Sequence, residues 1–419
     1  MAMVKPYSGR VLLITILAFA PSPLPQNTVV FIDMVGFGII IPVLPLYAER
    51  FGASPFTTGM LLAVYSGMGF IFSPIVGALS DRLGRRSILL LSTIGQATGF
   101  FIMGAADSLL WLFVARTIDG IFGANVSTTQ AYVADVTPPE DRSRALGLLG
   151  ATFGVGFIFG PLIGGVLSQI SLSAPFYFAG GLAAVNAVLI YFFLPESLPV
   201  QEDSRLDRDT FVTLFRQGFG SVILPLMAAY FFMMTGFSIV TAFFTIFTED
   251  RFGYNASANG YIFASVGVIG AIVQGALMGP LLKNFTEKRI AITGLALLSC
   301  SMFALPLAQR ATMLLLVTAG VAVGNAFINP TINGLVSRSV NKYWQGRVLG
   351  LMQACASLGR FVGPLLGGWL LAFNPRRTPE FGKAPFWISS ALLIVSLVLT
   401  TMVSVRRSDT REEGLPGEA

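Results

Sequence analysis

Four ionisable side chains stand where the chain is otherwise apolar: Asp33 in FIDMVGFGIIIPVLP, Arg116 and Asp119 in FVARTIDGIF, and Arg360 in ASLGRFVGPLLGG. A charged carboxylate in an apolar medium is costly, so Asp33 has reason to take up a proton when its surroundings are dry and to release it when they are wet. The plainer reading is a carboxylate tied to a neighbouring donor. Arg116 and Asp119 are three residues apart and so share one helix face, which Gly123, Ser127 and Gln130 continue. Counted from the outer ends of their runs at 1.5 Å per residue, Asp33 lies about 22 Å deep, Arg116 about 10 Å and Asp119 about 16 Å. A direct Asp33–Arg116 contact is therefore not expected. A relay through Asp119 or water fits the depths better, and the alternative is an Arg116–Asp119 pair that only neutralises itself. Arg360 stands midway along its run, and its own half of the chain offers no acid within an apolar segment. It reaches a carboxylate of the first half, meets an anionic group on a ligand, or snorkels to water.

What is missing narrows the chemistry further. The chain has no histidine, which excludes a Ser-His-Asp triad, imidazole metal ligands and histidine relays. Its two cysteines, Cys300 and Cys355, both lie in apolar stretches and support neither a disulfide framework nor a zinc site. No GxxxxGK[ST] loop occurs. The sequence therefore predicts no catalytic residues, metal or cofactor, and no enzyme; work done by such a chain draws on a gradient.

The elements that hold these groups follow from composition. Of 419 residues 54% are hydrophobic and 11% charged, against about 25% charged in soluble domains. Lipid is the solvent this predicts, and in lipid helices satisfy their own backbone groups. Twelve apolar runs fall at about 28–48, 57–80, 87–106, 109–134, 145–168, 174–195, 221–248, 257–282, 289–308, 312–336, 345–373 and 385–405. An even count puts both termini on one side. With the termini inside, 19 of the 27 basic residues lie on that side and six on the other, Arg116 and Arg360 being within runs. That is the bias expected of cytoplasmic loops, so a multi-pass membrane protein with both termini cytoplasmic is expected, its setting the plasma (inner) membrane. It also accounts for the basicity without a nucleic-acid partner. Lys5, Arg10 and VLLITILAFA resemble a signal peptide, but Pro21 would follow the cut, and cleavage would remove the first crossing's anchors. Ala20–Thr28 (APSPLPQNT) reads instead as an insert in a long first helix, with a break or interfacial segment at 11–27.

The chain is a duplication. ERFG at 49–52 answers DRFG at 250–253, RALGL at 144–148 answers RVLGL at 347–351, and GPLIGG at 160–165 answers GPLLGG at 363–368. Gly123 answers Gly324 and Gly77 answers Gly279, so every offset lies between 201 and 203. Six crossings per half make the repeats parallel, an arrangement whose ligand site lies near the midplane between lobes. The expected organisation is an inner segment at 1–27, a first lobe at 28–195, a linker at 196–220, a second lobe at 221–405 and a tail at 406–419.

Three strings complete the reading. GALSDRLGRR (Gly77–Arg86) joins the second and third runs; Asp81, Arg82, Arg85 and Arg86, with Gly84 to permit the turn and Asp135 as an available partner, predict an inner latch or simple topogenic charge. Gly279–Arg289 is its weaker counterpart. GVGFIFGPLIGG places Gly154, Gly156, Gly160, Gly164 and Gly165 around Pro161, a small-residue face for close packing in lipid with a bend. Asn125, Gln130, Asn329, Asn333 and Gln353, with Arg360, are the polar groups available to line a cavity for a small molecule.

From FIDMVGFGIIIPVLPLY to GPLLGG these strings resemble the major facilitator superfamily, and more closely its twelve-crossing drug:proton antiporters. Gly77–Arg86 resembles the family's inner-loop motif, RTIDG at 116–120 its fourth-helix motif with Asp119 where glutamine is usual, and Gly154–Gly165 the string that marks antiporters. AYVADVTPPEDRSRALG (131–147) and IFTEDRFGYNA (246–256) are most similar to tetracycline exporters. Those carry acids within their third and ninth helices, where this chain has Gly99 and Leu298. The resemblance implies an all-α membrane protein of two six-helix lobes, acting as a monomer on a small-molecule substrate and protons by alternating access, with Asp33, Arg116 and Asp119 in proton coupling. An importer of a sugar or metabolite on the same fold, or a non-transporting receptor, are the competing readings.

Overall fold

The computed structural model describes residues 24–137, 142–197, 222–339, 342–373 and 376–403, all helices and short connections. The first lobe runs α1 (Leu24–Ile40), α2 (Leu44–Arg50), α3 (Pro55–Leu83), α4 (Arg85–Gly104), α5 (Leu109–Phe122), α6 (Val126–Val136), α7 (Arg142–Leu167) and α8 (Ala174–Phe193). The second runs α9 (Ile223–Phe252), α10 (Ala256–Ile272), a π-helical turn at Val273–Leu277, α11 (Met278–Asn284), α12 (Glu287–Ala304), α13 (Ala311–Arg338), α14 (Lys342–Ala372) and α15 (Lys383–Met402). Ten spans among the described residues are long and apolar enough to cross a membrane, α5 with α6 and α10 with α11 each counting as one. The bent pair α1 and α2 makes an eleventh. The 26-residue α7, whose apolar part is Gly154–Leu167, completes six rods per lobe.

One sequence expectation changes. Leu24–Thr28 belongs to α1 itself, so this part of the supposed insert is helix. Pro25 falls in the first turn, where its missing N–H has no partner to lose. A bend of 44° follows at Ile41–Val43, where Pro42 and Pro45 interrupt the ladder; residues 11–23 of the expected break lie outside the described residues. The signal-like stretch, the rest of the supposed insert, the linker from 198 onward and the tail from 404 lie outside the described residues.

The duplicated sequence folds alike in both copies. In ERFG and DRFG the glycine ends its helix with positive φ, +80° at Gly52 and +67° at Gly253, and each N–H caps the carbonyl of Glu49 or Glu249. Asn255 and Thr286 open α10 and α12 by accepting from the backbone N–H three residues on, satisfying donors that a helix start leaves free.

The lobes meet along two seams, α3 on α14 and α7 on α10. Each seam is tight only near one end. A Cβ on Gly59 would lie 2.3 Å from the Pro364 carbonyl oxygen, and one on Gly260 2.5 Å from that of Pro161 and 2.9 Å from the Gly165 Cα. Towards the other end, where Arg82–Arg86 sit, Cβ atoms on Gly154, Gly275, Gly279 and Gly350 would meet nothing within 4 Å. Phe70, Ile71 and Ile75 of α3 are exposed there. The bundle is thus sealed at one face and open at the face carrying the arginines, called here the basic face.

Candidate functional site

Asp33 is held by α8. Its Oδ1 accepts from Asn186 Nδ2 at 2.8 Å, and the same amide donates to the Val29 carbonyl at 3.1 Å. Asn186 is fully buried, so the carboxylate points into the lobe and away from lipid, while Asp33 itself stays partly open. Asn125 faces the same carboxylate from the three-residue break between α5 and α6.

One turn above that break, Arg116 Nη1 donates to Asp119 Oδ2 at 2.7 Å, and both side chains are buried. The guanidinium lies 4.5 Å from the centre of the Tyr65 ring, which α3 supplies. Such a stacked, paired cation in a dry setting is favourable by about 1–2 kcal/mol from the ring alone. Among the described residues Asp33 and Arg116 form no ion pair, but Asp33 lies within electrostatic reach of Asp119. Arg116 Nε, Asn125 Nδ2, Asn186 Oδ1 and Thr128 Oγ1 are buried without hydrogen-bond partners among the described residues. Native interiors satisfy most such atoms, and exceptions gather where chemistry happens. Gly99 packs here as well: a Cβ on it would sit 3.3 Å from Asp119 Cβ. A side chain at position 99 would thus run alongside the Asp119 carboxylate. Leu298, by contrast, is fully buried in the second lobe's core.

The second lobe contributes Arg360 from α14. Among the described residues its side chain makes one hydrogen bond, Nη2 to Ser357 Oγ at 3.1 Å, and pairs with no carboxylate. It faces Tyr230 of α9 and Tyr65 of the first lobe. The Tyr230 hydroxyl donates to Asn329 Oδ1 at 3.2 Å. Asn329 and Asn333 are partly open on α13, while Gln130 and Gln353 are exposed on α6 and α14. Of the polar set read from the sequence, the structure brings Asn125 to Asp33 and Asn329 to the Arg360 neighbourhood. Gln130, Asn333 and Gln353 bond to neither.

At the basic face the charges form a lattice inside the first lobe. Arg85 pairs with Asp81 at 2.6 Å and with Asp135 at 3.1 Å and donates to Ser80 Oγ at 2.7 Å. Glu196, which sequence reasoning placed in the linker, accepts from the backbone N–H groups of Arg85 at 2.8 Å and Arg86 at 3.2 Å, and Arg86 donates to the Tyr191 carbonyl. Gly84 turns the chain at φ +92°, and a Cβ there would lie 2.4 Å from a Glu196 oxygen. Arg82 is exposed and Gly77 packs loosely. The second lobe carries the same pair with its charges exchanged: Glu287 stands 202 residues after Arg85, Arg338 stands 203 after Asp135, and the two are 3.1 Å apart.

The glycine string of α7 faces two ways. Gly156, Gly160 and Gly164 take α1 against their backbone, at Met34, Gly38 and Ile39, while Pro161 and Gly165 meet α10. Gly154 touches neither. α7 is therefore the layer between the Asp33 helix and the other lobe. At the sealed face, Glu49 of the first lobe pairs with Arg376 of the second, and Gln169 Nε2 donates to Ser257 Oγ at 2.7 Å.

Two matched helical lobes, sealed at one face and cleft at the other, with ionisable groups at the midplane, define a membrane transporter of the rocking-lobe class. Comparison with known proteins narrows this. The model of the Major Facilitator Superfamily matches residues 27–362 and 275–419. The tetracycline resistance protein of class C from Escherichia coli is 36% identical over 378 residues, covering 88% of this chain and 93% of that protein. Multidrug resistance protein 2 of Bacillus subtilis (strain 168) is 28% identical over 385 residues, 91% of this chain and 94% of its own length. The crystal structure of a bacterial homolog of the human lysosomal transporter Spinster, inward-facing and occupied, has a TM-score of 0.72 at 19% identity over 96% of this chain and 97% of that one, a likeness of fold. The chain belongs to the major facilitator superfamily and is an integral, multi-pass membrane protein.

Asn186, Tyr65, Tyr230 and Glu196 were not singled out by sequence. A lone asparagine inside AAVNAVLI was the one signal that could have found the first of them.

Proposed function

We propose that this chain exports small amphiphilic drugs in exchange for protons by alternating access. The observation that carries the proposal is a partly open Asp33, held by a buried asparagine beside the buried Arg116–Asp119 pair, between lobes whose seams are tight near one face only. The names of the relatives, tetracycline and multidrug resistance proteins, support the cargo class.

In this reading the basic face is cytoplasmic, with both termini there and the protein in the inner membrane, because lysine and arginine collect on that side. Cargo enters the open cleft from the cytoplasm while Asp33 and Asp119 are ionised. Rocking about the α3–α14 and α7–α10 seams then opens the far face, cargo leaves, and the acids take protons from outside. Protonation neutralises the carboxylates and lowers the cost of closing them into a dry interior, so the return stroke carries protons inward. The Arg85 lattice and its exchanged counterpart hold the helix ends as the lobes swing. Asn125, Gln130, Asn329, Asn333, Gln353 and Arg360 line the cargo route, and one chain is the working unit, with no catalytic residue. A proton crossing roughly 100 mV and one pH unit releases about 2.3 and 1.4 kcal/mol, enough for a several-hundredfold excess of neutral cargo outside.

The test is efflux from proteoliposomes with an imposed pH gradient and a panel of dyes and antibiotics. Asp33→Asn should fold, bind cargo and equilibrate it, but lose uphill efflux. Gradient-driven accumulation that survives in this variant would refute the proton role of Asp33.

A further inference from the structure

Resting on that reading, one group is left that proton transfer does not use. Arg360 stands in the midplane of the second lobe with a single side-chain hydrogen bond, to Ser357 of its own helix, and no carboxylate partner among the described residues. A guanidinium has five donors in a planar fork, so most of this one's capacity is free. An unpaired cation at such depth is costly, and structures keep one there where something else supplies the negative charge. The surroundings point the same way. Tyr230 faces Arg360 and is fixed by its bond to Asn329. Tyr65 approaches from the other lobe, and its hydroxyl has no hydrogen-bond partner among the described residues. Phe361, the next residue, packs its ring 2.8 Å from where a Gly67 Cβ would be, which seats Arg360 beside the α3–α14 seam. The group opposite is thus a pair of phenols and a fork of donors; Asp119 and Asp33 act on Tyr65, but no acid acts on Arg360.

We propose that Arg360 and the Tyr65 hydroxyl form a docking point for a delocalised oxyanion, a carboxylate or an enolate, on the exported molecule. Such a group accepts two parallel N–H donors in the plane of the guanidinium and a third from the phenol. The site divides labour between the duplicated halves: the first lobe holds the proton-bearing acids and the second holds the cation that reads the cargo. At the positions 203 residues before Arg360 and 201 after Asp33 stand Phe157 and Met234, so neither lobe carries the other's charge. Tyr65 touches both ends, stacking on Arg116 and facing Arg360. Cargo that draws its hydroxyl therefore disturbs the ring against which the Arg116–Asp119 pair is packed.

A matched pair of dyes tests this. Rhodamine 110 carries a free carboxylate, and rhodamine 123 is its methyl ester on the same ring system. Binding to the full-length protein in detergent is followed by fluorescence anisotropy, with no gradient present. The acid should bind about tenfold more tightly than the ester. Arg360→Leu should abolish that preference by weakening the acid alone, Arg360→Lys should keep part of it, because the charge remains without the fork, and Tyr65→Phe should weaken the acid a few-fold. Melting temperatures establish that each variant is folded, and if Arg360→Leu is not, Arg360→Lys and Tyr65→Phe carry the test. Equal binding of both dyes, binding of neither, or an acid preference undiminished in the folded variants overturns the docking point. Proton-driven efflux of rhodamine 123 from proteoliposomes is read separately. Its loss in the wild type would sink the exporter reading and leave the binding result standing.

Discussion

Gly59→Ala is the sharpest probe of the sealed face. The added methyl carbon would lie 2.3 Å from the Pro364 carbonyl oxygen, 3.1 Å from its carbonyl carbon and 3.3 Å from the Phe243 ring. Ordinary contact needs about 3.4 Å, so α3 and α14 must separate by about 1 Å. The obstacle is backbone on a packed helix, which no rotamer change relieves. Overpacking of this kind costs about 1–3 kcal/mol. The cost falls only on the arrangement that closes this face, because opening it frees the methyl. The equilibrium should therefore move about 5–150-fold towards the arrangement open at the opposite end. The assay is a distance distribution between nitroxides on Asp107→Cys and Arg310→Cys, two exposed positions on different lobes, after replacing Cys300 and Cys355. The substitution should enlarge the long-distance population while leaving the melting temperature nearly unchanged. An unaltered distribution in a folded variant would mean that the α3–α14 contact does not close the face, and the reasoning from the seam would fail.

Glu49→Gln removes the ion pair that joins the lobes through Arg376, whose side chain is 43% exposed. Its effect on the same label pair should have the same sign and be smaller, under about 1 kcal/mol and weaker still in high salt. Gly84→Ala forces a positive φ on a side chain and drives it against Glu196. It should lower stability by about 1–3 kcal/mol, and pairing it with Glu196→Ala should recover part of the loss in a double-mutant melt. Arg338→Ala, with 74% of its side chain in solvent, should change the melting temperature hardly at all, whereas Arg85→Ala, with three partners and 12% exposure, should lower it clearly.

The parts legible in the sequence are those where one residue contradicts its neighbours. Asp33 and Arg360 stand out because ionisable groups are costly in apolar runs. The Arg116–Asp119 pair follows from a three-residue spacing, and the two lobes follow from ERFG answering DRFG. Other parts depend on distant pieces of chain. Asn186 is 153 residues from Asp33, and nothing local to either predicts that they meet. Glu196 was read as linker because its partners are the backbone amides of a turn 110 residues earlier, which carry no residue code. The start of α1 falls at Leu24, ahead of the apolar run that begins near 28, because a first turn tolerates Pro25. Gly154–Gly165 announced close packing, but that it serves α1 on one side and α10 on the other is a matter of three dimensions.

The sealed seams are built from glycine and proline backbone, and that choice has a thermal consequence. Residues of this kind surrender no rotamer freedom when they come into contact, so where Gly260 meets Pro161 and Gly165 parting and rejoining freezes no side chain, and the ordering falls on the few that cross beside it, Glu49–Arg376 and Gln169–Ser257 among them. That backbone part of the contact depends little on temperature through conformational entropy.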